Sequence, residues 1–205
     1  MDGDIAPLEE LVALRREFPE IMLYIDEAHA FGVFGEKGLG VAESLGLIDE
    51  TDIIVGTFGK ACASSGAFVS TSATLRDYLV NAARSLIFST AIPPVCAAWS
   101  LMMTEILEDM SDERARLAEI SAEFRGIIED ITGKECVSRS QIVPLMAGDA
   151  TKAVKMSHRL GEQGVIALAI RRPTVPPGGE RIRFSLNAGL SDSDIHKVAD
   201  IIRKL

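Results

Sequence analysis

The chain has 205 residues, of which 47% are hydrophobic and 25% charged, as is typical of folded globular proteins rather than disordered or fibrous ones. Its formal net charge of -9 opposes contact with a phosphate backbone, so nucleic acid is a poor candidate partner. No apolar stretch reaches the roughly 20 residues that a membrane helix needs, and no membrane association is predicted. Three cysteines without CxxC spacing argue against a disulfide framework or a metal site and favour the cytoplasm.

Helix and strand patterns alternate in the first hundred residues. A capped amphipathic helix is predicted to begin near Asp4 and Pro7 and to end near residue 18. The next elements are a buried strand at residues 21–25, a glycine-rich loop, strands at 52–55 and 66–70, and a helix over 71–84. This order predicts the α/β class with a mostly parallel sheet.

The second half begins with long helices and continues in short units. Pro93 and Pro94 open a helical pattern that restarts at Ser111 and runs to about residue 131. The short units are strands at 142–146, 165–170 and 181–186 and helices at 151–163 and from 192 onward. We therefore predict a partial large domain over residues 1–105, and connecting helices with a small α+β C-terminal domain over residues 106–205.

Two segments could carry chemistry, and both follow predicted strands. Asp26 and His29 lie at the carboxyl end of the first strand, where open α/β sheets place their ligands. Residues 26–29 also spell the DEAH tetrapeptide of nucleotide hydrolases. That alternative requires a phosphate-binding GxxxxGK[ST] loop before it, whereas Gly59-Lys60 comes after it and is followed by Ala61.

The second segment is a lysine among small residues. Lys60 follows Gly59 and precedes Ala61, an arrangement that lets a planar ligand approach the backbone, and a desolvated lysine there could form a Schiff base. Thr57 could offer its hydroxyl to an anion. Pyridoxal phosphate (PLP) requires a lysine, a carboxylate for the pyridine nitrogen and donors for the phosphate. Lys60, Asp26 and Thr57 supply these three groups.

Five ordered motifs carry a resemblance to a known family. They are MDGDIAPL, YIDEAHAFGVFGEKGLG, GTFGKACASSGAF, IFSTAIPP and IRRPTVPPGGERIRFSLNA. Together they resemble the α-oxoamine synthases, a family of fold-type I PLP enzymes, over essentially the whole chain. The resemblance implies that residues 1–105 are part of the PLP-transferase large domain, which binds the cofactor.

The resemblance also implies a role for each matching residue around the cofactor. Lys60 would bind PLP as a Schiff base and act as the base, and Asp26 would pair with the pyridine nitrogen. His29 would bind the phenolic oxygen of the cofactor. Thr57 would bind its phosphate, and Thr90 would reach the phosphate in the neighbouring subunit of a homodimer.

On the substrate side, the resemblance implies roles for Thr174 and Arg183. The guanidinium of Arg183 could hold a carboxylate in two parallel hydrogen bonds. The closest likeness is to the biotin-pathway members, which join L-alanine to a pimeloyl thioester of CoA or an acyl carrier protein with loss of carbon dioxide. Family members that use glycine or serine, and a catalytically silent chain that only dimerises, remain alternatives.

The sequence departs from the family pattern in two ways. Family members are about twice as long, and the serine that normally precedes the first motif is absent, so we expect the chain to be one segment of a longer enzyme with exposed sheet edges. Within the motifs, Cys62-Ala63 follows the lysine and Phe31 replaces a smaller residue. Both changes alter the shape of the site and leave its chemistry in place.

Overall fold

The computed structural model describes residues 1–205, which form two compact units. We call Pro7–Arg114 the lysine unit, and Met1–Ala6 together with Ala115–Leu205 the C-terminal unit. These ranges differ from the predicted division between residues 105 and 106, which falls inside a continuous helix, Pro94–Glu108. They also assign the first six residues to the C-terminal unit.

The lysine unit contains a three-stranded mixed sheet in the order β1-β2-β3. Strand β2 pairs parallel with β1 and antiparallel with β3, because the nine-residue loop at 58–66 is too short for a parallel crossover. The α/β class is confirmed. The elements are α1 (Leu8–Glu17), β1 (Tyr24–Asp26), α2 (Val41–Ser44), a 3-10 turn (Ile48–Glu50), β2 (Ile53–Thr57), β3 (Ala67–Thr71), α3 (Ala73–Ala82), α4 (Arg84–Ile87) and α5 (Pro94–Glu108).

The two faces of this sheet have different environments. On one face, Ile25 and Ile54 pack with Leu8, Val12 and Ala42. Phe68 on β3 packs in a second cluster with Phe31, Cys62 and Leu107. The opposite face carries Tyr24 and Val69, whose exposed fractions are 62% and 51%. An apolar surface of this kind is typical of an interaction site.

Helix α1 begins without the predicted side-chain cap. Pro7 is its N-cap residue and makes no side-chain hydrogen bond, and Asp4 belongs to the C-terminal unit. The prediction that Asp4 caps this helix is therefore wrong. Proline at this position still suits a helix start, because its fixed φ is compatible with the first turn and it has no N–H to satisfy.

The C-terminal unit has an antiparallel sheet in the order β4-β6-β5, with helices packed on one face. Its core contains Phe124, Val143, Leu160, Ile182 and Ile195, all fully buried. The elements are α6 (Ser111–Thr132), β4 (Ile142–Met146), α7 (Ala150–Glu162), β5 (Leu168–Ile170), β6 (Arg181–Ser185) and α8 (Asp192–Ile202). Residues 111–114 of α6 fall in the lysine unit.

The first residues of the chain are bonded into the C-terminal unit. Asp2 forms an ion pair with the buried Arg181, and the Arg139 N–H donates to the Gly3 carbonyl oxygen at 2.8 Å. Gly3 has φ +74°, and a Cβ there would lie 1.9 Å from the Ile142 carbonyl oxygen. Only glycine fits at this close approach.

A partly buried ion pair makes the stability of the lysine unit depend on pH. Arg15 donates to both oxygens of Asp52 at 2.8 and 2.9 Å, and the Leu23 N–H donates to one of them at 2.8 Å. These bonds hold the pKa of Asp52 below its ordinary value of 3.8. The stabilisation is therefore fully present above pH 3.8 and is lost as the pH falls through the lower pKa of the folded state.

We expect Asp52→Asn to unfold at a lower urea concentration at neutral pH and to lose less stability than the wild type between about pH 5 and about pH 2. Trp99 is the only tryptophan and lies in the lysine unit, so its fluorescence follows the unfolding of that unit. Equal acid sensitivity of the two proteins would contradict the role of Asp52.

Candidate functional site

Asp26 and Thr57 lie at the same edge and on the same face of the sheet. Asp26 is the last residue of β1 and pairs with Val55, two residues before Thr57, the last residue of the parallel strand β2. Side chains two residues apart in a strand point to the same face. The carboxylate and the hydroxyl therefore project from adjacent strand ends on the face that carries Tyr24 and Val69.

The Thr57 hydroxyl already has hydrogen-bond partners. It donates to the Gly66 carbonyl oxygen at 3.1 Å and accepts from the Gly59 N–H at 3.1 Å. The Phe58 N–H also donates to the Gly66 carbonyl oxygen, at 3.0 Å. Thr57 thus closes the base of the loop at 58–66, and binding an anion would require its proton to turn away from Gly66.

Lys60 lies in this loop, three residues beyond the end of β2. Its side chain is exposed and makes no hydrogen bond or ion pair in the structure. The predicted desolvation of Lys60 is not found within this chain, because its side chain is exposed to water. Lys60 is an amine at the site edge with no competing partner.

Glu27 fixes the chain immediately after Asp26. Its exposed fraction is 2%, and its two carboxylate oxygens accept from Val41 N–H at 3.1 Å and Ala42 N–H at 2.8 Å. Its own N–H donates to the Val55 carbonyl oxygen at 2.7 Å. A Cβ at Gly40 would lie 2.7–2.9 Å from the Glu27 carboxylate, so glycine is needed there.

We expect Glu27→Gln to lower the free energy of unfolding of the lysine unit by about 2–3 kcal/mol. The amide oxygen could still accept from one of the two N–H groups, but the amide nitrogen would face the other as donor against donor, leaving that buried N–H without an acceptor. The measurement is urea unfolding followed by Trp99 fluorescence, with Glu9→Gln on the exposed first turn of α1 as the control. A loss no larger than that of the control would show that Glu27 is not an anchor.

His29 and Thr90 complete the predicted cofactor set. His29 is exposed in the turn after β1, where the Ala28 N–H donates to Asp26 Oδ1 at 2.8 Å. Thr90 is exposed between α4 and α5, beside Phe88. The structure thus places His29 in the loop that leaves the Asp26 strand and Thr90 in a separate segment.

Thr174 and Arg183 belong to the C-terminal unit. Arg183 lies on the central strand β6 between Pro144 and Leu168, and its buried Nε has no hydrogen-bond partner. Thr174 is exposed in the loop between β5 and β6, and its N–H donates to the Arg171 carbonyl oxygen at 3.0 Å. Arg171 is itself exposed in the same loop as Thr174, and sequence reasoning did not select it.

Comparison with known proteins identifies the family. Residues 1–202 match the family described as aminotransferase class I and II. The chain belongs to this family. An 8-amino-7-oxononanoate synthase of Haemophilus ducreyi is 47% identical over 199 residues, which cover 96% of this chain and 51% of that protein. The chain spans about half the length of the curated relatives it matches.

Solved structures agree with the sequence relatives. A structure of serine palmitoyltransferase with its PLP internal aldimine has a TM-score of 0.91 and 31% identity, over 100% of this chain and 52% of that one. The 8-amino-7-oxononanoate synthase of Francisella tularensis has a TM-score of 0.85 and 31% identity, over 100% of this chain and 59% of that one. The resemblance to the α-oxoamine synthases is confirmed, and PLP is the cofactor of these enzymes.

The nucleotide-hydrolase alternative does not agree with this family or with the local fold. A phosphate-binding lysine loop connects a strand to a helix, whose N-terminus faces the phosphates. Here the Lys60 loop connects β2 to the antiparallel strand β3. Residues 26–29 therefore share only their letters with the hydrolase motif.

No helix of the chain has the combination of length and hydropathy that a bilayer span requires.

Proposed function

We propose that this chain supplies the cofactor-anchoring part of a PLP-dependent acyltransferase that condenses L-alanine with a pimeloyl thioester, with loss of carbon dioxide, in biotin biosynthesis. The observation that carries the proposal is the position of Asp26 and Thr57 on one face of two adjacent parallel strand ends, with Lys60 in the loop that follows. The identity to 8-amino-7-oxononanoate synthases supports this choice of substrates.

The donor set fits the cofactor. A carboxylate at residue 26 would hold a proton on a pyridine nitrogen, and the open sheet face beside it can accept a planar ring. The Lys60 amine is free to form a Schiff base, and Gly59 leaves space above the loop, since a Cβ there would meet only Thr57 Oγ1 at 3.5 Å and the Ser64 carbonyl oxygen at 3.8 Å. His29 is proposed as a hydrogen-bond partner of the phenolic oxygen, and Thr57 of the phosphate.

When bound, PLP acts as an electron sink for the carbon next to an amino group. The chain contributes binding and proton transfer around that chemistry. Lys60, once its amine is released by the substrate amine, is the proposed base for the α-hydrogen. Asp26 would keep a positive charge on the ring nitrogen, because an anionic carboxylate stabilises the protonated form of its neighbour.

We propose that Arg183 and Thr174 bind the substrate carboxylate. Arg171 is the competing candidate for this role. The unpartnered buried Nε of Arg183 favours it, whereas Arg171 is favoured by its exposure beside Thr174. We expect lysine at the true position to raise the KM for L-alanine by roughly tenfold or more, because a bidentate contact is lost. Arg183→Lys and Arg171→Lys, measured side by side in the full-length enzyme, separate the two.

The same fold is compatible with related substrates. Serine and glycine are the alternatives to L-alanine, and the likeness to serine palmitoyltransferase keeps serine open as a candidate. A panel of the three amino acids with pimeloyl and longer acyl thioesters, each carried by CoA or by acyl carrier protein, tests the assignment. Preference for serine and a long acyl chain would overturn the biotin-pathway assignment.

A homodimer in the cytoplasm is part of the proposal. Exposed apolar side chains, among them Phe88 and Val95, lie close to Thr90 in sequence, and such exposure suits contact with a second subunit. The three cysteines are free thiols, which suits a reducing compartment. A chain that dimerises through this surface and binds no cofactor is the second candidate function.

Titration of the purified chain with PLP distinguishes the two functions. We expect a visible imine band at one PLP per chain, and borohydride reduction followed by peptide mass spectrometry should locate the modification at Lys60. Dimerisation in sedimentation experiments without preferential modification of Lys60 would instead support the cofactor-free chain.

A further inference from the structure

Helix α5 makes three side-chain contacts with the second half of the loop that carries Lys60. Trp99 Nε1 donates to the Cys62 carbonyl oxygen at 2.9 Å. Ser100 Oγ donates to Ser64 Oγ at 2.9 Å, and Ser64 Oγ donates to the Cys96 carbonyl oxygen at 3.3 Å. All of these groups belong to the lysine unit, and none of them is assigned a role in the proposed chemistry.

The contacts follow from helical spacing. Residues 96, 99 and 100 lie on one face of α5, since side chains three and four residues apart are neighbours on a helix. One partner on each side is shielded from water: Cys62 of the loop is fully buried, and the exposed fraction of Ser100 on the helix is 5%. Without the indole, the Cys62 carbonyl oxygen would lose its donor in a buried position, which is costly.

The loop itself has an unfavourable backbone conformation at the same place. Ala63 has φ +47° and is the only non-glycine residue with positive φ. Its N–H donates to the Lys60 carbonyl oxygen at 3.0 Å, and the Ser64 N–H donates to the Phe58 carbonyl oxygen at 2.8 Å. Such a conformation persists only where surrounding contacts enforce it. The contacts on Cys62 and Ser64 flank Ala63 on both sides.

We propose that Trp99 and Ser100 are positioning residues for Lys60. By fixing Cys62 and Ser64, they fix the tight turn at Ala63 and hence the backbone from which the Lys60 side chain departs. This inference rests on the proposed function, because it assigns the contacts a purpose in presenting the amine to PLP. Trp99 is the only tryptophan in the sequence, so its replacement removes the only indole.

The test compares Trp99→Phe with Leu101→Ala, an exposed position on α5 that makes no hydrogen bond to the loop. Phenylalanine keeps an aromatic ring and removes the Nε1–H donor together with the second ring of the indole, so Ser100→Ala serves as a variant with a smaller loss of volume. We expect the amides of Ala63 and Ser64 to exchange with deuterium roughly fivefold faster in Trp99→Phe, the ratio that follows from the loss of one ordinary hydrogen bond. Leu101→Ala should exchange as the wild type does.

The second measurement determines how readily Lys60 forms an imine with PLP. PLP is added to each protein, the imines are reduced with borohydride, and modification of Lys60 is compared with that of Lys155, an exposed lysine on α7. We expect the ratio of Lys60 to Lys155 to fall roughly fivefold in Trp99→Phe. Ser100→Ala, a smaller change, should lower the ratio in the same direction and guards against a folding defect in the tryptophan variant.

The possible outcomes separate a failure of the positioning role from a failure of the proposed function. Unchanged amide exchange, or faster exchange with an unchanged ratio of Lys60 to Lys155, would overturn the positioning role. A ratio near one in the wild type would count against the proposed function itself, and the positioning role would fail with it. A high wild-type ratio that does not respond to Trp99→Phe or Ser100→Ala would leave the proposed function standing and reject only the positioning role.

Discussion

Replacing Lys60 by alanine is expected to abolish the visible absorbance band that PLP gives on binding the chain. An imine needs a primary amine, and Lys60 is the amine in the loop that follows the Thr57 strand end. Its side chain makes no hydrogen bond or ion pair, so the substitution should leave the urea unfolding curve unchanged. The loss of the band would then be a chemical effect and not a consequence of unfolding.

The matched control is Lys155→Ala. Lys155 is exposed, as Lys60 is, and any surface lysine can form some imine with an excess of PLP. With one PLP per chain, the Lys155 variant should keep the full band and the Lys60 variant should lose it. If Lys60→Ala keeps the band, another amine holds the cofactor and the proposed site is wrong.

Replacing Asp26 by asparagine is expected to slow the exchange of the L-alanine α-hydrogen for solvent deuterium by roughly 10²–10³-fold while the imine with Lys60 still forms. The amide has no charge with which to keep a ring nitrogen protonated, so the ring would accept electrons less readily. Asparagine can still accept from the Ala28 N–H, so the turn after β1 should persist.

Nuclear magnetic resonance of the alanine methyl and α-hydrogen signals gives this exchange rate directly, in the full-length enzyme or in the chain if the chain binds PLP. Asp49→Asn, an exposed carboxylate in the 3-10 turn of the same unit, is the control. Exchange at the wild-type rate in Asp26→Asn would remove Asp26 from the proposed chemistry.

Local sequence patterns located most of the elements, and the differences have physical causes. Strand β4 has the predicted bounds, because it is an apolar run that pairs along its whole length with β6. The predicted strand at residues 21–25 begins only at Tyr24, because its ladder with β2 starts at the Tyr24 and Ile53 pair. The antiparallel direction of β3 depends on the short loop at 58–66, and the alternation of apolar and polar residues along a strand does not encode strand direction.

The candidate site could be located from sequence, whereas its supporting contacts could not. Asp26 and Thr57 were predictable because both directly follow apolar runs. The bonds of Glu27 to the N–H groups of Val41 and Ala42, and of Trp99 to Cys62, join residues far apart in sequence. In the sequence, only Gly40 and the single tryptophan hint at these supporting contacts, and neither residue identifies its hydrogen-bond partner.

The attachment of Met1–Ala6 to the C-terminal unit has a consequence for synthesis on the ribosome. The lysine unit is continuous in sequence and can fold as soon as it emerges, whereas Asp2 must wait for Arg181. In a nascent chain, residues 1–6 should therefore stay open to proteases until residue 181 has left the ribosome, and should be protected afterwards.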